Sequence, residues 1–172
     1  MIPRPIGKIL GWLLFGVAAL LIIGLLVFWV ATFFGFDESL DRSDKPLTRA
    51  EAIKRISVPL PASARDVYFV SHSGGLQEFQ FFTRFTVDPK DLDTAVSDLI
   101  ADRDKQTHGH LTYTQLALSK APPYPVYGAL LPMPWWNIGS FTNGYYRSAT
   151  EGQAFDIWVD ADQHTIYLCT HD

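Results

Sequence analysis

The chain has 172 residues and a net charge of −4, and 48% of its residues are apolar and 14% aromatic. This apolar content excludes a disordered chain, and the length is typical of one domain. Arg4 and Lys8 give residues 1–36 a charge of +2, so residues 37–172 carry −6. Such an acidic domain argues against a nucleic-acid partner, because nucleic-acid binding depends on neutralising phosphates. The single cysteine, Cys169, excludes an intrachain disulfide and a cysteine-based metal cluster.

Residues 9–36 are 28 consecutive residues without a charged side chain. About 20 helical residues cross a bilayer, so this run predicts a transmembrane helix after a short tail at 1–8. Trp12 and Trp29 lie about 26 Å apart along such a helix, which suits membrane-interface positions at its two ends. A cleaved signal peptide would have a shorter apolar core and a small-x-small cleavage site, and a buried soluble helix would show a polar face. We therefore predict an uncleaved single-pass anchor.

Basic residues on the two flanks of this helix bear on its orientation. Arg4 and Lys8 precede it, whereas five basic residues follow the acidic pair Asp37 and Glu38. The count of basic residues alone does not favour a cytoplasmic N-terminus, but long domains cross the membrane largely regardless of charge. The basic residues closest to the helix are N-terminal. We therefore expect a cytoplasmic N-terminus and a C-terminal domain on the opposite side.

Residues 37–46 are polar and predict a linker, and residues 47–172 predict a folded domain. Thr48-x-x-Glu51 is a capping-box pattern that predicts a helix over 49–57, with Ala52, Ile53 and Ile56 on one face. Two Phe-, Val- and Tyr-rich runs, 67–71 and 77–87, predict a hairpin with glycines in its turn. Alternation in the second run predicts a strand buried on one face only.

Asp88-Pro89 predicts the start of a helix over 89–103, because apolar residues follow at helical spacing. Residues 111–118 predict a strand, Asn143-Gly144 predicts a two-residue hairpin turn, and 155–170 predict a terminal hairpin. Together these patterns predict five to seven strands and two helices. The fold class is α+β, an antiparallel sheet with the helix at 89–103 packed across one face.

One set of residues resembles a pattern in small, mostly uncharacterised bacterial domains that are membrane-anchored or lipoprotein-like. In that pattern an LP-x-x-A-x-x-V motif precedes a strand, an RF strand and a P-x-x-D/E helix start, over about a quarter of the chain. The matching residues are Leu60, Pro61, Ala64, Val67, Arg84, Phe85, Pro89, Asp91 and Leu92. The resemblance implies a single-pass protein of the bacterial inner membrane with a periplasmic or extracellular domain. It implies no catalytic residues.

The residues that could support chemistry are few. His108 and His110 lie in a polar loop, where solvated histidines are the norm, with His164 or His171 as distant further metal ligands. Cys169 and His171 share a strand face, but a buried thiol is the commoner arrangement. No nucleophile elbow or phosphate-binding loop is present in the sequence. We therefore expect no catalysis, cofactor or metal; the alternative is a membrane-anchored hydrolase or metal-binding protein that uses the loop histidines.

The most unusual segment, 122–146, concentrates aromatic residues among prolines and glycines. Proline-rich backbone stays near a protein surface, so we expect an extended arm with accessible rings, although the same rings could fill a small core. Accessible Trp and Tyr are typical of interfaces, and Trp135 and Trp136 would point to opposite sides of an extended backbone. The predicted function is a non-catalytic, membrane-tethered interaction module that contacts the bilayer and a membrane-protein partner. The predicted contact residues are Tyr124, Tyr127, Trp135, Trp136, Tyr145 and Tyr146.

Overall fold

The computed structural model describes residues 4–33, 39–74, 78–107, 112–118, 133–149 and 154–171. The chain divides into two compact units, residues 1–37 and residues 38–172. A short 3₁₀ turn at 89–91 precedes the longest helix of the second unit. The helices and strands are α1 (Arg4–Phe33), β1 (Ser39–Arg42), α2 (Arg49–Ala52), β2 (Arg65–Gly74), β3 (Glu78–Thr86), α3 (Leu92–Gln106), β4 (Tyr113–Ala117), β5 (Gly144–Ala149), β6 (Ala154–Asp160) and β7 (Thr165–His171).

The first unit contains the single helix α1, 30 residues long. Its segment Gly11–Val30 is long and apolar enough to cross a membrane, and none of its side chains is buried. Both Trp12 and Trp29 lie on this continuous helix, as predicted. Its length and composition are those of a helix that could be a membrane anchor or a signal sequence.

The second unit contains a seven-stranded antiparallel sheet in the order β1-β2-β3-β7-β6-β5-β4. Strands consecutive in the chain are neighbours in the sheet except β3 and β4, and the terminal strand β7 lies in the middle of the sheet between β3 and β6. The α+β fold class predicted from the sequence is therefore confirmed, with an N-terminal apolar helix and a second helix that packs on the sheet. The strand β1 lies within the segment predicted as a linker, and it forms one edge of the sheet.

The turn predicted at Asn143-Gly144 does not form. Gly144 begins β5, which pairs with β4 and β6, and no strand precedes it within residues 133–143. Instead, the Asn143 carbonyl accepts a hydrogen bond from the Ala161 amide, and its side chain donates to Asp162, so this dipeptide docks on the β6–β7 turn. The Asn-Gly pattern reports only local turn propensity, and tertiary pairing overrides it here.

One face of the sheet, which we call the helix face, packs against α3. Leu92, Ala95, Val96 and Leu99 of α3 are buried with the inward residues of β2, β3, β6 and β7 in one core cluster. These are the residues that the sequence places on the apolar side of the predicted helix, and α3 extends three residues beyond the predicted end. Burial of this stripe, rather than helix propensity, is what holds α3 in place.

The helix predicted over 49–57 is shorter than expected. Its capping box is present, because Thr48 accepts from the Glu51 amide and Glu51 accepts from the Thr48 amide. The α-helix nevertheless ends at Ala52, and Ile53 is 48% exposed rather than buried beside Ala52 and Ile56. Turn conformation after Ala52 rotates Ile53 outward while Ile56 still reaches the core.

The opposite face of the sheet, which we call the aromatic face, is also covered in its middle. Phe82, on the side of β3 predicted to face solvent, is fully buried, and Phe79, predicted to face inward, is 39% exposed near one end of the strand. The half-buried pattern predicted for this strand is therefore wrong at its centre. The cover comes from residues 133–141, which pack with Phe82, Trp158 and Tyr167 in a second core cluster.

Candidate functional site

A row of side chains crosses the aromatic face from strand to strand. Register pairs Tyr68 of β2 with Arg84 of β3, Arg84 with Tyr167 of β7, and Tyr167 with Trp158 of β6. Residues directly opposite each other in antiparallel strands share a face, so these four side chains are neighbours. The row thus places a single arginine between tyrosines contributed by the two flanking strands.

The tryptophan pair packs onto this row through a turn and not through an extended arm. The Trp136 amide donates to the Met133 carbonyl at 2.9 Å, which closes a tight turn. Trp136 is 3% exposed, and its ring meets Phe82, Trp158 and Tyr167 edge-on at centroid distances of 5.5–5.6 Å. The extended backbone predicted for Trp135 and Trp136 is therefore wrong, since their rings touch at 5.8 Å.

Trp135 has a different environment from Trp136. Its ring is half-buried and stacks on Tyr68 at a centroid distance of 5.5 Å and an interplanar angle of 21°. Trp136 therefore serves as an anchor in the core, whereas Trp135 keeps part of a large ring at the surface. Partly exposed Trp beside Tyr and Arg is the residue combination that dominates binding energy at protein interfaces.

The guanidinium of Arg84 lies between two rings. Its central carbon is 5.6 Å from the Tyr68 ring centroid and 5.7 Å from the Tyr167 ring centroid. Its Nε is buried and has no hydrogen-bond acceptor. A buried donor without an acceptor costs about 1–3 kcal/mol, so such a group in a folded protein calls for a ligand or a water molecule.

Two adjoining pockets, of about 500 and 390 Å³, meet at Arg84 and Asn137. We call the combined surface the Arg84 groove. The Tyr167 hydroxyl donates to the Asn137 side-chain oxygen, which fixes the amide in the floor of the groove. Burial raises the pKa of Tyr167, and the Arg84 guanidinium opposes this shift, so the hydroxyl stays protonated near neutral pH and keeps its hydrogen bond to Asn137. The residues that define the groove are Tyr68, Arg84, Trp135, Asn137, Phe141 and Tyr167.

The other predicted contact residues that the structure describes, Tyr145 and Tyr146, do not line the Arg84 groove. Tyr124 and Tyr127 are outside the described residues. Tyr146 is buried, and its hydroxyl donates to the Asp156 carboxylate at 2.6 Å. Tyr145 lies on the helix face, half-buried against the core. Alternation along β5 places Tyr145 on the face opposite Trp135, and burial removes Tyr146, which lies on the same face as Trp135, from the contact surface.

Sequence reasoning missed Tyr68, Arg84, Asn137 and Tyr167 as members of one site. Each lies outside the proline-rich segment or carries no recognisable motif of its own. The available signal was the alternation in β3. It places Arg84 on the same side of the strand as Phe82 and on the side opposite Phe85. Pairing with β7 was not readable from that pattern, because it depends on strand order.

Other groups with chemical potential are held in inert states. The Cys169 thiol is fully buried, and burial together with the nearby Asp156 raises its pKa, which disfavours the reactive thiolate. Among the residues that the structure describes, no three His, Cys, Asp or Glu side chains are grouped closely enough to hold a metal ion. His108 and His110 lie outside those residues. The described groove can therefore bind, through rings, an amide and a cation, and holds no activated nucleophile.

No family model matches the chain, and no curated protein and no solved structure matches it. The resemblance to small bacterial membrane-anchored domains therefore stays a prediction. Functional conclusions about this chain depend on the geometry of the groove and on the character of α1.

Proposed function

We propose that this protein is a non-catalytic interaction module, tethered to the bacterial inner membrane by α1 as a retained single-pass anchor. The N-terminus is cytoplasmic, and the α+β domain lies on the periplasmic or extracellular side. There it serves as an accessory subunit of a larger membrane-protein complex. The contact surface is the Arg84 groove.

The observation that carries this proposal is the half-exposed Trp135, stacked on Tyr68 beside Arg84. These three residue types are the ones most enriched among interface residues whose truncation costs binding energy. A partner that covers Trp135 would remove its remaining apolar surface from water without any reorganisation of the buried Trp136. Of the two adjacent tryptophans, Trp135 would therefore serve binding, whereas Trp136 serves the stability of the fold.

Substitution of each tryptophan tests the proposal. The full chain is extracted in mild detergent, and co-purifying membrane proteins are identified for wild type, Trp135→Ala and Trp136→Ala. We expect Trp135→Ala to keep its melting temperature and lose a specific partner, because only the surface ring is removed. We expect Trp136→Ala to lose about 3–5 kcal/mol of folding stability, because a buried ring leaves a cavity.

Two outcomes contradict the proposal. A folded Trp135→Ala variant that keeps every wild-type partner would place the contact surface elsewhere on the protein. Equal loss of stability in both variants would make Trp135 a core residue and remove the basis for a contact role.

A further inference from the structure

Arg84 forms no ion pair with a carboxylate among the described residues, and the Tyr167 hydroxyl is a polar neighbour of its guanidinium. Arg42, Arg55 and Arg65 each form an ion pair with an aspartate, at 2.5–3.0 Å. Arg49 donates to the Leu60 and Pro61 carbonyls instead. No carboxylate of the described chain lies within 4.0 Å of the Arg84 guanidinium, and its buried Nε has no acceptor.

The nearby acids are already engaged, so they leave this cation free. At one end of the groove Asp44 pairs with Arg42 at 3.0 Å. At the other end Asp160 accepts from two amides of the β6–β7 turn at 3.1 Å, and Asp162 accepts from Asn143 at 2.7 Å. The end of the groove at Asp160 and Asp162 is therefore acidic, the end at Asp44 is neutralised by Arg42, and the centre is cationic.

The shape of the cation favours a carboxylate. A guanidinium presents parallel N–H donors that match the two oxygens of a carboxylate, and the flanking Tyr68 and Tyr167 rings hold its position. Part of the Trp135 ring stays at the surface beside it. A ligand that fits has one carboxylate and an adjacent apolar group.

The surrounding charge selects among sources of such an anion. The domain carries −6 over residues 37–172. Asp44 in one pocket is neutralised by Arg42, whereas Asp160 and Asp162 in the other form no ion pair among the described residues. A surface of many phosphates, such as an anionic bilayer, meets repulsion from these groups, whereas an isolated carboxylate reaches Arg84 without it. A protein segment with one acidic residue matches this pattern better than a lipid surface does.

We infer that the Arg84 groove binds a segment of a partner protein in which a single aspartate or glutamate is flanked by an apolar or aromatic residue. The carboxylate pairs with Arg84, and the flanking side chain packs on Trp135. This inference rests on the proposed interaction function and names the chemistry of its partner.

The test is selection from a library of random displayed dodecapeptides against the full chain in detergent micelles. Arg84→Gln removes the cation, and Arg84→Lys keeps the charge without the planar fork. Arg65→Gln is the matched control, because Arg65 is an exposed arginine paired with Asp88 and does not line the groove. A selected peptide is then compared with its own Glu→Gln or Asp→Asn version.

We expect peptides with one acidic residue next to an aromatic or aliphatic residue. On the wild-type protein, the amide version of the peptide should bind at least tenfold more weakly than the acidic version. On Arg84→Gln, the two versions should bind equally well, or the amide version better. Arg84→Lys should lie between the two, and Arg65→Gln should match wild type. The peptide pair tests the inference on the wild-type protein, so it does not depend on whether Arg84→Gln folds.

Three results overturn the inference. The first is a set of selected peptides without acidic enrichment, or an equal affinity of the acidic and amide versions for wild type. The second is recovery of no peptide above the background of Trp135→Ala. The third is Arg84-dependent binding of glycerol phosphate, used as the probe for a phospholipid headgroup, in the absence of peptide binding. If Trp135→Ala still loses its co-purifying partner in any of these cases, the interaction function survives and only the acidic segment is wrong.

Discussion

At the residue scale, Tyr146 and Asp156 form a buried pair that stabilises the aromatic face. The Tyr146 hydroxyl donates to the Asp156 carboxylate at 2.6 Å, and both residues are buried. Burial and this hydrogen bond raise the pKa of Tyr146, so the phenol remains the donor at physiological pH. The carboxylate depends on this donor for its polar contact inside the sheet.

We predict that Tyr146→Phe lowers the free energy of unfolding by about 2 kcal/mol, because it leaves a buried carboxylate without its donor. Tyr145→Phe is the matched control, since the adjacent tyrosine lies on the other face and its hydroxyl has no hydrogen bond to another described residue. Chemical denaturation of both variants measures the difference. Equal stabilities would show that Asp156 is satisfied in another way.

A second residue-scale prediction concerns pH. Hydrogen bonds from the Thr48 side chain and amide lower the pKa of Glu51, and Lys54 lowers it by a smaller amount. A carboxyl with a lowered folded-state pKa stabilises the fold above its unfolded pKa, and this stabilisation is lost as pH falls through the folded pKa. The N-terminus of α2 should therefore loosen in acid.

We expect Thr48→Ala to raise the pKa of Glu51 towards that of a free glutamate, because both the hydroxyl contact and the cap geometry are lost. Lys54→Met should raise it less. A nuclear magnetic resonance titration of the Glu51 carboxyl in each variant is the measurement. A larger shift in Lys54→Met than in Thr48→Ala would contradict the capping-box explanation.

At the element scale, Gly144 allows β5 to begin against β6. Its φ is +153°, and a Cβ built there would lie 1.8 Å from the Val159 carbonyl oxygen, far inside van der Waals contact. The glycine is therefore required by a close backbone approach between strands, not by the hairpin turn that the sequence suggested.

Gly144→Ala should destabilise the domain by more than about 1 kcal/mol, because the backbone of β6 must move and the conformation disfavours a side chain. Gly139→Ala is the control, since a Cβ at that position meets no atom within 4 Å. Thermal unfolding of the two variants distinguishes them. Similar melting temperatures would mean that β5 can shift at little cost.

At the scale of the whole molecule, the fate of α1 decides where the domain acts. A retained anchor keeps the Arg84 groove at the membrane, whereas cleavage of a signal sequence would release it. The helix has 30 residues, longer than the apolar core of a typical signal peptide. Length favours retention.

We therefore predict that the mature protein in the membrane fraction keeps residues 9–36, as measured by intact mass. Protease added to cells with a permeable outer envelope should digest the domain beyond residue 37. A mature N-terminus near Asp37 would contradict the anchor. Protection of the domain until lysis would contradict the orientation while leaving the anchor in place.

The sequence by itself determined the features that depend on neighbouring residues along the chain. The apolar run of α1, the capping box at Thr48, the buried stripe of α3 and the hairpin from β6 to β7 are all local patterns, and the structure contains each of them. Periodicity and caps report such elements because the interactions that form them span only a few residues. The α+β fold class followed from their order.

Only the tertiary structure determined which residues form the Arg84 groove and where burial departs from the pattern predicted by strand alternation. Tyr68, Arg84 and Tyr167 come together because β7 pairs with β3, a contact between strands about 80 residues apart. Packing of residues 133–141 on this face buries Phe82 under Trp136, and the assembled sheet leaves Arg84 without a carboxylate partner among the described residues. Strand order and packing between distant segments have no signature in residue spacing, so the site could be recognised only once the sheet was assembled.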